Sequence, residues 1–567
     1  MSTTKVLSMY SKMLLLFILV FVSHSTFSQL SPRVTYATYI GGTGDDDFAN
    51  NIQLGDNDDI FLCLSATDGC VTTTGVHQQT FGGVNDALIQ KRDKSGNLIW
   101  STYYGGSFYD VPGYLKLLKS GKLALVGQTS SITGIAKNGH QQTYNGGGYD
   151  GFLAVFNADG TLDWATYIGG TGDDDVYGVD EDSEGNIYVC GYTNSGTGLS
   201  TPGTFQTSNR GGYDGFLSKY ASTGKLIWST YVGGTGSDWL VTIQIDRNDN
   251  IWVGGMSFAT SGLATFNAYS GTNAGNGDGL LMSFDKDGKR LYGTYYGGTG
   301  GDGIYVIHID KEDNIWFGGP TASKSGIATF NGLIPQHSNR EDVFLAKFDK
   351  DKKRVWATYL GGSEWDTFFG MDTDKEGNAI LSMMTKSNDF KPMKQALQSE
   401  YGGGLWDAVC TKLDPNGRLI WSTYLGGDGN DRGIDVKVNS AGDIVYFMSA
   451  GSENMHTGDA DDTTLDGDQD ALLAIIREVD ISKATDPGLA AKTFNISPNP
   501  VADKLTIDIP DFDKYRVNIF DHSGKAMHGY TCEANSIDIR TLTPGIYHIR
   551  LTDRTTGVVA SNSFVKI

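Results

Sequence analysis

GKLIWSTYVGG, residues 224–234, is the stretch from which the rest of the chain can be read. Its core, TYxGG, occurs seven times, starting at Thr38, Thr102, Thr166, Thr230, Thr294, Thr358 and Thr423. Successive starts lie 64 residues apart, except the last step of 65 (423 − 358). Two residues before each Thr stands an aromatic ring: Tyr36, Trp100, Trp164, Trp228, Tyr292, Trp356 and Trp421. A register kept over seven copies marks a repeat architecture, in which each copy is one supersecondary unit that buries its apolar face against its neighbours.

Working outward from that stretch, its unit reads as four short strands. DVYGVDED (175–182) is strand a, and the turn SEGN leads to strand b, IYVCGYT (187–193). A long loop through SNRGGYD precedes strand c, GFLSKY (215–220), and the turn ASTGK leads to strand d, LIWSTYVGG (226–234). Alternating apolar residues separated by Gly, Asn and Asp turns are the pattern of antiparallel strands. Four such strands per repeat predict the blade of a β-propeller. The seventh unit starts at Asp431 and runs through GDIVYFMSAG and DALLAIIREVD to Asp480, with no strand d after it. The missing strand has its match at the other end, in VTYATYI (34–40). The expectation is an all-β chain whose residues 29–480 form a seven-bladed propeller of four-stranded blades, closed by the N-terminal strand. A linear solenoid would leave an incomplete unit and an unpaired strand.

On these residues the chain resembles the bacterial SBBP repeat family. The matching segments are GKLIWSTYVGG from Gly224, DSEGNIYVCGYT from Asp182 and GGYDGF from Gly211. The resemblance covers about 34–480; unit two departs from it, with SGKLALVGQT in place of GNIYVxGxT. It implies a fold and no single activity.

The texture changes after Asp480. Residues 481–493, ISKATDPGLAAKT, read as a linker around Pro487-Gly488. Residues 494–567 carry the strand signals SPNPVADKLTIDI, YRVNIFDHSGKAM, SIDIRTLTPGIYHIRLTD and SNSFVKI, which predict a small Ig-like β-sandwich. This segment is similar to the type A sorting domain of the Bacteroidetes type IX secretion system. The marks are Pro498-Asn499-Pro500, Asp521 with Gly524-Lys525, Leu542 with Gly545 and Tyr547, and Phe564-Val565-Lys566. The similarity implies export across the outer membrane by that secretion machinery. It also implies that the domain is removed as the protein is released or attached to the cell surface.

The other end of the chain agrees with export. Lys5 and Lys12 precede an apolar run, Met13–Val22, too short to span a bilayer, and Thr26 and Ser28 form a small-residue cleavage site. Residues 1–28 therefore read as a secretory signal peptide, and no other segment is apolar enough for a membrane span. The expected location is extracellular, free or attached to the outer-membrane surface. A net charge of −22 (44 − 66) speaks against nucleic acid as a partner, because phosphates would be repelled. Five scattered cysteines make no disulfide framework, although Cys63 and Cys70 are near enough in sequence to pair.

Two Asp columns recur. One follows TYxGG by four residues: Asp46, Asp110, Asp174, Asp238, Asp302, Asp366 and Asp431. The other precedes strand c: Asp86, Asp150, Asp214, Asp278, Asp342, Asp407 and Asp470. In a four-stranded blade both lie on the same face. They read either as a face for cationic or hydroxyl-rich ligands or as carboxylates that cap turns by accepting backbone N–H bonds. Trp239 and Trp365 adjoin the first column, and with Tyr109 and Tyr177 offer rings for stacking on sugars. Asp466, Asp468 and Asp470 alternate as in a calcium loop. The loop departs from that pattern at Ala471, where Gly should turn the chain, and at Arg477, where a bidentate Glu should stand. Calcium is the one cofactor this suggests. HExxH, GxSxG, P-loop and dinucleotide fingerprints are absent, so no catalytic residue is assigned. The leading expectation is a secreted or cell-surface binding, adhesion or scaffold module whose partners are a polysaccharide or surface proteins. The alternative is a polysaccharide lyase or hydrolase with its site on the acidic face.

Overall fold

A computed structural model describes residues 30–44, 48–338, 340–480, 495–497, 501–509, 512–521, 527, 531–533, 535–553 and 559–566. The expected signal peptide 1–28, Asp46, the expected linker 481–493, Pro498–Pro500 and Gly524-Lys525 lie outside these residues. The chain divides into two compact units, Pro32–Glu478 and a second that holds the residues from Val479 onward.

Among the described residues, the first unit consists of seven four-stranded antiparallel sheets, numbered here one to seven in chain order. Sheet three is typical: Asp174–Glu181, Ile187–Thr193, Asp214–Tyr220 and Leu226–Val232 follow one another as strands a to d. Sheet seven differs in origin. It orders Arg432–Val438, Ile444–Ala450 and Asp470–Asp480 beside Leu30–Ile40, so the N-terminal strand occupies the place of strand d. Each strand a touches the strand a of the next sheet, and that of sheet seven touches that of sheet one.

Turn chemistry sets each hairpin. In the turn after strand a of sheet three, Asp182 Oδ1 accepts the amides of Glu184 (3.0 Å) and Asn186 (2.8 Å). Gly185 there adopts φ +81°, which a side chain would disfavour. Strand d brings the repeated ring. Trp100, Trp164, Trp228, Trp356 and Trp421 are buried, and the first four donate Nε1 to a backbone carbonyl in the next sheet. The donor–acceptor distances are 3.0, 2.9, 3.1 and 3.2 Å, to Ala158, Ser222, Lys286 and Pro415. The expected role of these rings as inter-sheet core is what they perform. Across the junction of sheets seven and one, Tyr36 Oη donates to the Gly96 carbonyl (3.4 Å). Two further bonds cross the same junction: Ile52 N to Asp435 Oδ2 (3.1 Å) and Arg92 to Asp461 (3.0 Å). Cys63, Cys190 and Cys410 are buried thiols in strands b, b and c, and no disulfide joins Cys63 to Cys70.

Among the described residues the second unit is also built of strands, apart from one 3-10 turn, Phe512–Lys514. One sheet joins Tyr515–Asp521, Gly545–Asp553 and Val559–Lys566, and a second joins four short strands. Their buried faces, among them Leu505, Ile507, Ile519, Ile537, Ile549, Leu551 and Phe564, form one core.

Candidate functional site

The recurrent aspartates lie beneath the surface. Asp110, Asp174, Asp238, Asp302, Asp366 and Asp431 are all buried. Each accepts the amide of the second Gly of TYxGG, at 2.6–2.9 Å, and a hydroxyl from strand b or the residues just after it. Asp174 shows the full set: Gly170 N at 2.8 Å, Ser195 Oγ at 2.9 Å and the Thr193 hydroxyl. The second column is buried as well, and Asp86 Oδ2 accepts Gly82 N at 2.8 Å and Gln78 Nε2 at 2.9 Å. The other oxygen of Asp86, Asp150, Asp214, Asp278 and Asp407 has no hydrogen-bond partner. The two columns meet around the first Gly of TYxGG. A methyl on Gly169 would lie 2.6 Å from Asp150 Oδ1 and 2.9 Å from Asp174 Oδ2, so only glycine fits between the carboxyls. Burial pushes Asp86, Asp150 and Asp407 up to about 7, and Asp214 and Asp278 up to about 6. Of the calcium candidates, Asp466 and Asp468 are exposed, whereas Asp470 is buried and accepts Asp466 N at 2.9 Å. Among the described residues no group of three or more His, Cys, Asp or Glu side chains is placed to hold a metal ion.

An opening lies where the strands a converge. A cavity of about 810 Å³ is lined by residues from all seven strands a. A bulge aims side chains into it. In six of these strands the register slips by one residue, and the extra residue is Asn50, Gly113, Tyr177, Val241, Phe369 or Ile434. Every one of those six lines the cavity. A bulge leaves one residue out of the ladder and re-aims it, which is how a strand buried between neighbours presents a side chain inward.

At the end where the strands a begin, the lining is aromatic and lopsided. Tyr177 stacks on Tyr192 (5.5 Å between centroids), and Tyr192 meets Tyr213 edge-on (5.6 Å) and Trp239 at a tilt (6.1 Å). Tyr149 and Tyr305 also line this end. Two carboxylates stand behind the rings. Tyr192 Oη donates to Asp175 Oδ2 and Tyr213 Oη to Asp173 Oδ2, each at 3.3 Å. Asp175 is 4% exposed, and burial pushes it up to about 7 against the pull of the Tyr192 and Tyr177 hydroxyls. Trp365 (44% exposed) and Tyr109 (57%) lie outside the cavity lining.

Three residues further along each strand a, about 10 Å at strand rise, the lining turns polar. One residue per sheet forms this level: Gln53, Lys116, Asp180, Gln244, His308, Asp372 and Lys437. Its charges are paired, with Lys116 on Asp180 (2.8 Å) and Lys437 on Asp435 (2.9 Å). Its acceptors also tie neighbouring sheets: Asp180 takes Ile245 N (2.7 Å), Gln244 takes Ile309 N (2.8 Å) and Asp372 takes Val438 N (2.9 Å).

Comparison with known proteins agrees with this architecture. Residues 163–197 match the beta-propeller repeat SBBP, and residues 495–566 match the secretion system C-terminal sorting domain Por_Secre_tail. The chain thus carries one segment similar to the SBBP repeat and one similar to a secretion sorting domain. It is handled by the type IX secretion machinery and is secreted or held at the cell surface. The regulatory protein FlaEY of Caulobacter vibrioides is 24% identical over 399 residues, covering 67% of this chain and 40% of that protein. The chain thus spans less than half the length of that relative. Among solved structures, PorZ, a type IX secretion surface component of Porphyromonas gingivalis, is 12% identical. Its TM-score is 0.36, over 93% of this chain and 60% of that one. A virginiamycin B lyase from Staphylococcus aureus is 11% identical with a TM-score of 0.38, over 77% of this chain and 98% of that one.

Within the first unit, sequence reading reached Tyr177 and Trp239 and missed Tyr149, Tyr192, Tyr213 and Tyr305. The missed rings come from the end of strand b, the residue before strand c and, for Tyr305, the residue before strand a, which are adjacent only in space. The polar level was visible as a column. Six residues past the first Asp, the repeat carries Lys116, Asp180, Gln244, His308, Asp372 and Lys437, different in kind while the column just before them stays apolar.

Proposed function

We infer that this protein is a secreted or surface-displayed binding module. Its SBBP array forms a seven-bladed propeller closed by Leu30–Ile40, and its C-terminal unit is an Ig-like sandwich that serves as the export signal. Its ligand is an extracellular polymer, either polysaccharide or surface protein, which enters the axial cavity at the aromatic end. One observation carries this reading: the repeat keeps its framework residues in all seven units and breaks symmetry at the cavity mouth, where rings gather on sheets two to six. Binding sites are concave and largely apolar, with few polar groups, and this mouth has that composition. The recurrent aspartates serve the framework, since each spends acceptor capacity on turn amides and hydroxyls.

The test is retention of full chain on a panel of extracellular polysaccharides and surface proteins, with released product assayed in the same samples. Retention without product is expected. New reducing ends or unsaturated sugars would replace the binding reading with the lyase or hydrolase reading. Absence of both retention and product would leave a structural scaffold.

A further inference from the structure

The chemistry of the mouth specifies more than a concave shape. We propose that it receives a cationic group, a protonated or alkylated amine, seated against Tyr177, Tyr192, Tyr213 and Trp239. The proposal rests on the reading of the axial cavity as the binding site, and it names the chemical class that site takes.

The reasons are geometric and electrostatic. The four rings form one contiguous cluster, joined through Tyr192 at 5.5, 5.6 and 6.1 Å, and they line the cavity. Aromatic faces carry the negative lobe of the ring quadrupole and attract cations placed over them. Here the attraction is reinforced from behind. Tyr192 and Tyr213 give their phenolic hydrogens to Asp175 and Asp173, at 3.3 Å each, which draws electron density into the rings and holds two acidic side chains close beneath them. Basic side chains are absent from this end of the lining. Those that line the cavity, Lys116, His308 and Lys437, sit three residues deeper. Lys116 and Lys437 are paired there with Asp180 and Asp435, and His308 Nε2 lies 2.9 Å from the Thr373 hydroxyl. A chain charge of −22 adds a long-range attraction for cations. A hydroxyl-rich ligand fits less well, because two of the phenols that would meet its hydroxyls are already donating to carboxylates.

The same ammonium can come as a free small molecule or on a side chain of a larger partner, so the test has an arm for each. Full chain is titrated calorimetrically with choline, with its uncharged isostere 3,3-dimethylbutan-1-ol, and with a short peptide ending in trimethyl-lysine. Choline or the peptide is expected to bind at least tenfold more tightly than the isostere, and which of the two is tighter assigns the source. Trp239→Ala is expected to weaken that binding about tenfold. At pH 8, above the value near 7 to which burial pushes Asp175, Asp175→Asn keeps shape and removes charge, and is expected to weaken the cation and leave the isostere unchanged. Tyr192→Phe keeps the ring and removes its bond to Asp175, and is expected to weaken the cation while leaving the isostere, which reports an intact site, unchanged. Equal binding of choline and isostere, or no binding of either cation by a chain that still holds a panel polymer, would overturn the cationic assignment and leave the binding function standing. A chain that holds neither would overturn both.

Discussion

At the scale of single residues, the repeat signature has a steric cause. The first Gly of TYxGG is wedged between carboxyls of two Asp columns, and at Gly169 an added methyl would sit 2.6 Å from Asp150. Gly169→Ala is expected to cost about 2–3 kcal/mol in chemical denaturation. Gly196→Ala, where a methyl meets nothing within 4 Å, should be nearly neutral and serves as the control. An equal, small effect at both positions would contradict the wedge. The strand-d indole makes a second claim. Trp164→Phe removes the Nε1 bond to the Ser222 carbonyl (2.9 Å) and leaves a cavity between sheets, so a loss of about 1–3 kcal/mol is expected by the same measurement. TYxGG and its aromatic partner were legible in the sequence because each copy solves the same local packing problem. The mouth was legible only in Tyr177 and Trp239, which adjoin that signature.

At the scale of the blade, the paired carboxyls make stability depend on pH in an uncommon direction. Burial holds Asp86, Asp150 and Asp407 near 7 and Asp214 and Asp278 near 6, above the ordinary aspartate value of 3.8. The folded chain therefore keeps protons that the unfolded chain releases above 3.8. Folding stability from this source is complete below that value and falls as pH rises towards about 7. The melting temperature is expected to be several degrees higher at pH 5 than at pH 8, and Asp150→Asn should flatten the profile and raise the value at pH 8. A melting temperature that rises from pH 5 to pH 8 would contradict the buried, protonated pairs. The blade boundaries were readable from Gly, Asn and Asp turns. The bulge in strand a was not, since a one-residue slip leaves composition and period almost unchanged while turning Tyr177 or Phe369 towards the axis.

At the scale of the whole molecule, the N-terminal strand does the closing. Leu30–Ile40 completes sheet seven, and Tyr36 and Arg92 hold the junction with sheet one. Deleting residues 30–40 leaves Asp470–Asp480 as an open edge, so the deleted chain should melt lower and self-associate on gel filtration. A monomer with unchanged melting would show that closure contributes nothing. The incomplete seventh unit and the orphan VTYATYI made this arrangement readable before any coordinates. Which rings meet at the mouth could not be read, because Tyr149, Tyr192 and Tyr213 belong to different sheets or strands and become neighbours only when the ring forms. The most direct measurement is retention of the doubly substituted chain, Tyr192→Ala with Trp239→Ala, on whichever panel polymer the unaltered chain holds. A matched control carries Tyr109→Ala with Trp365→Ala, which alters exposed rings outside the cavity. Loss of about tenfold or more in the first and full retention in the second is the expected result. Full retention by the first would place the ligand away from the axial mouth and contradict the assignment.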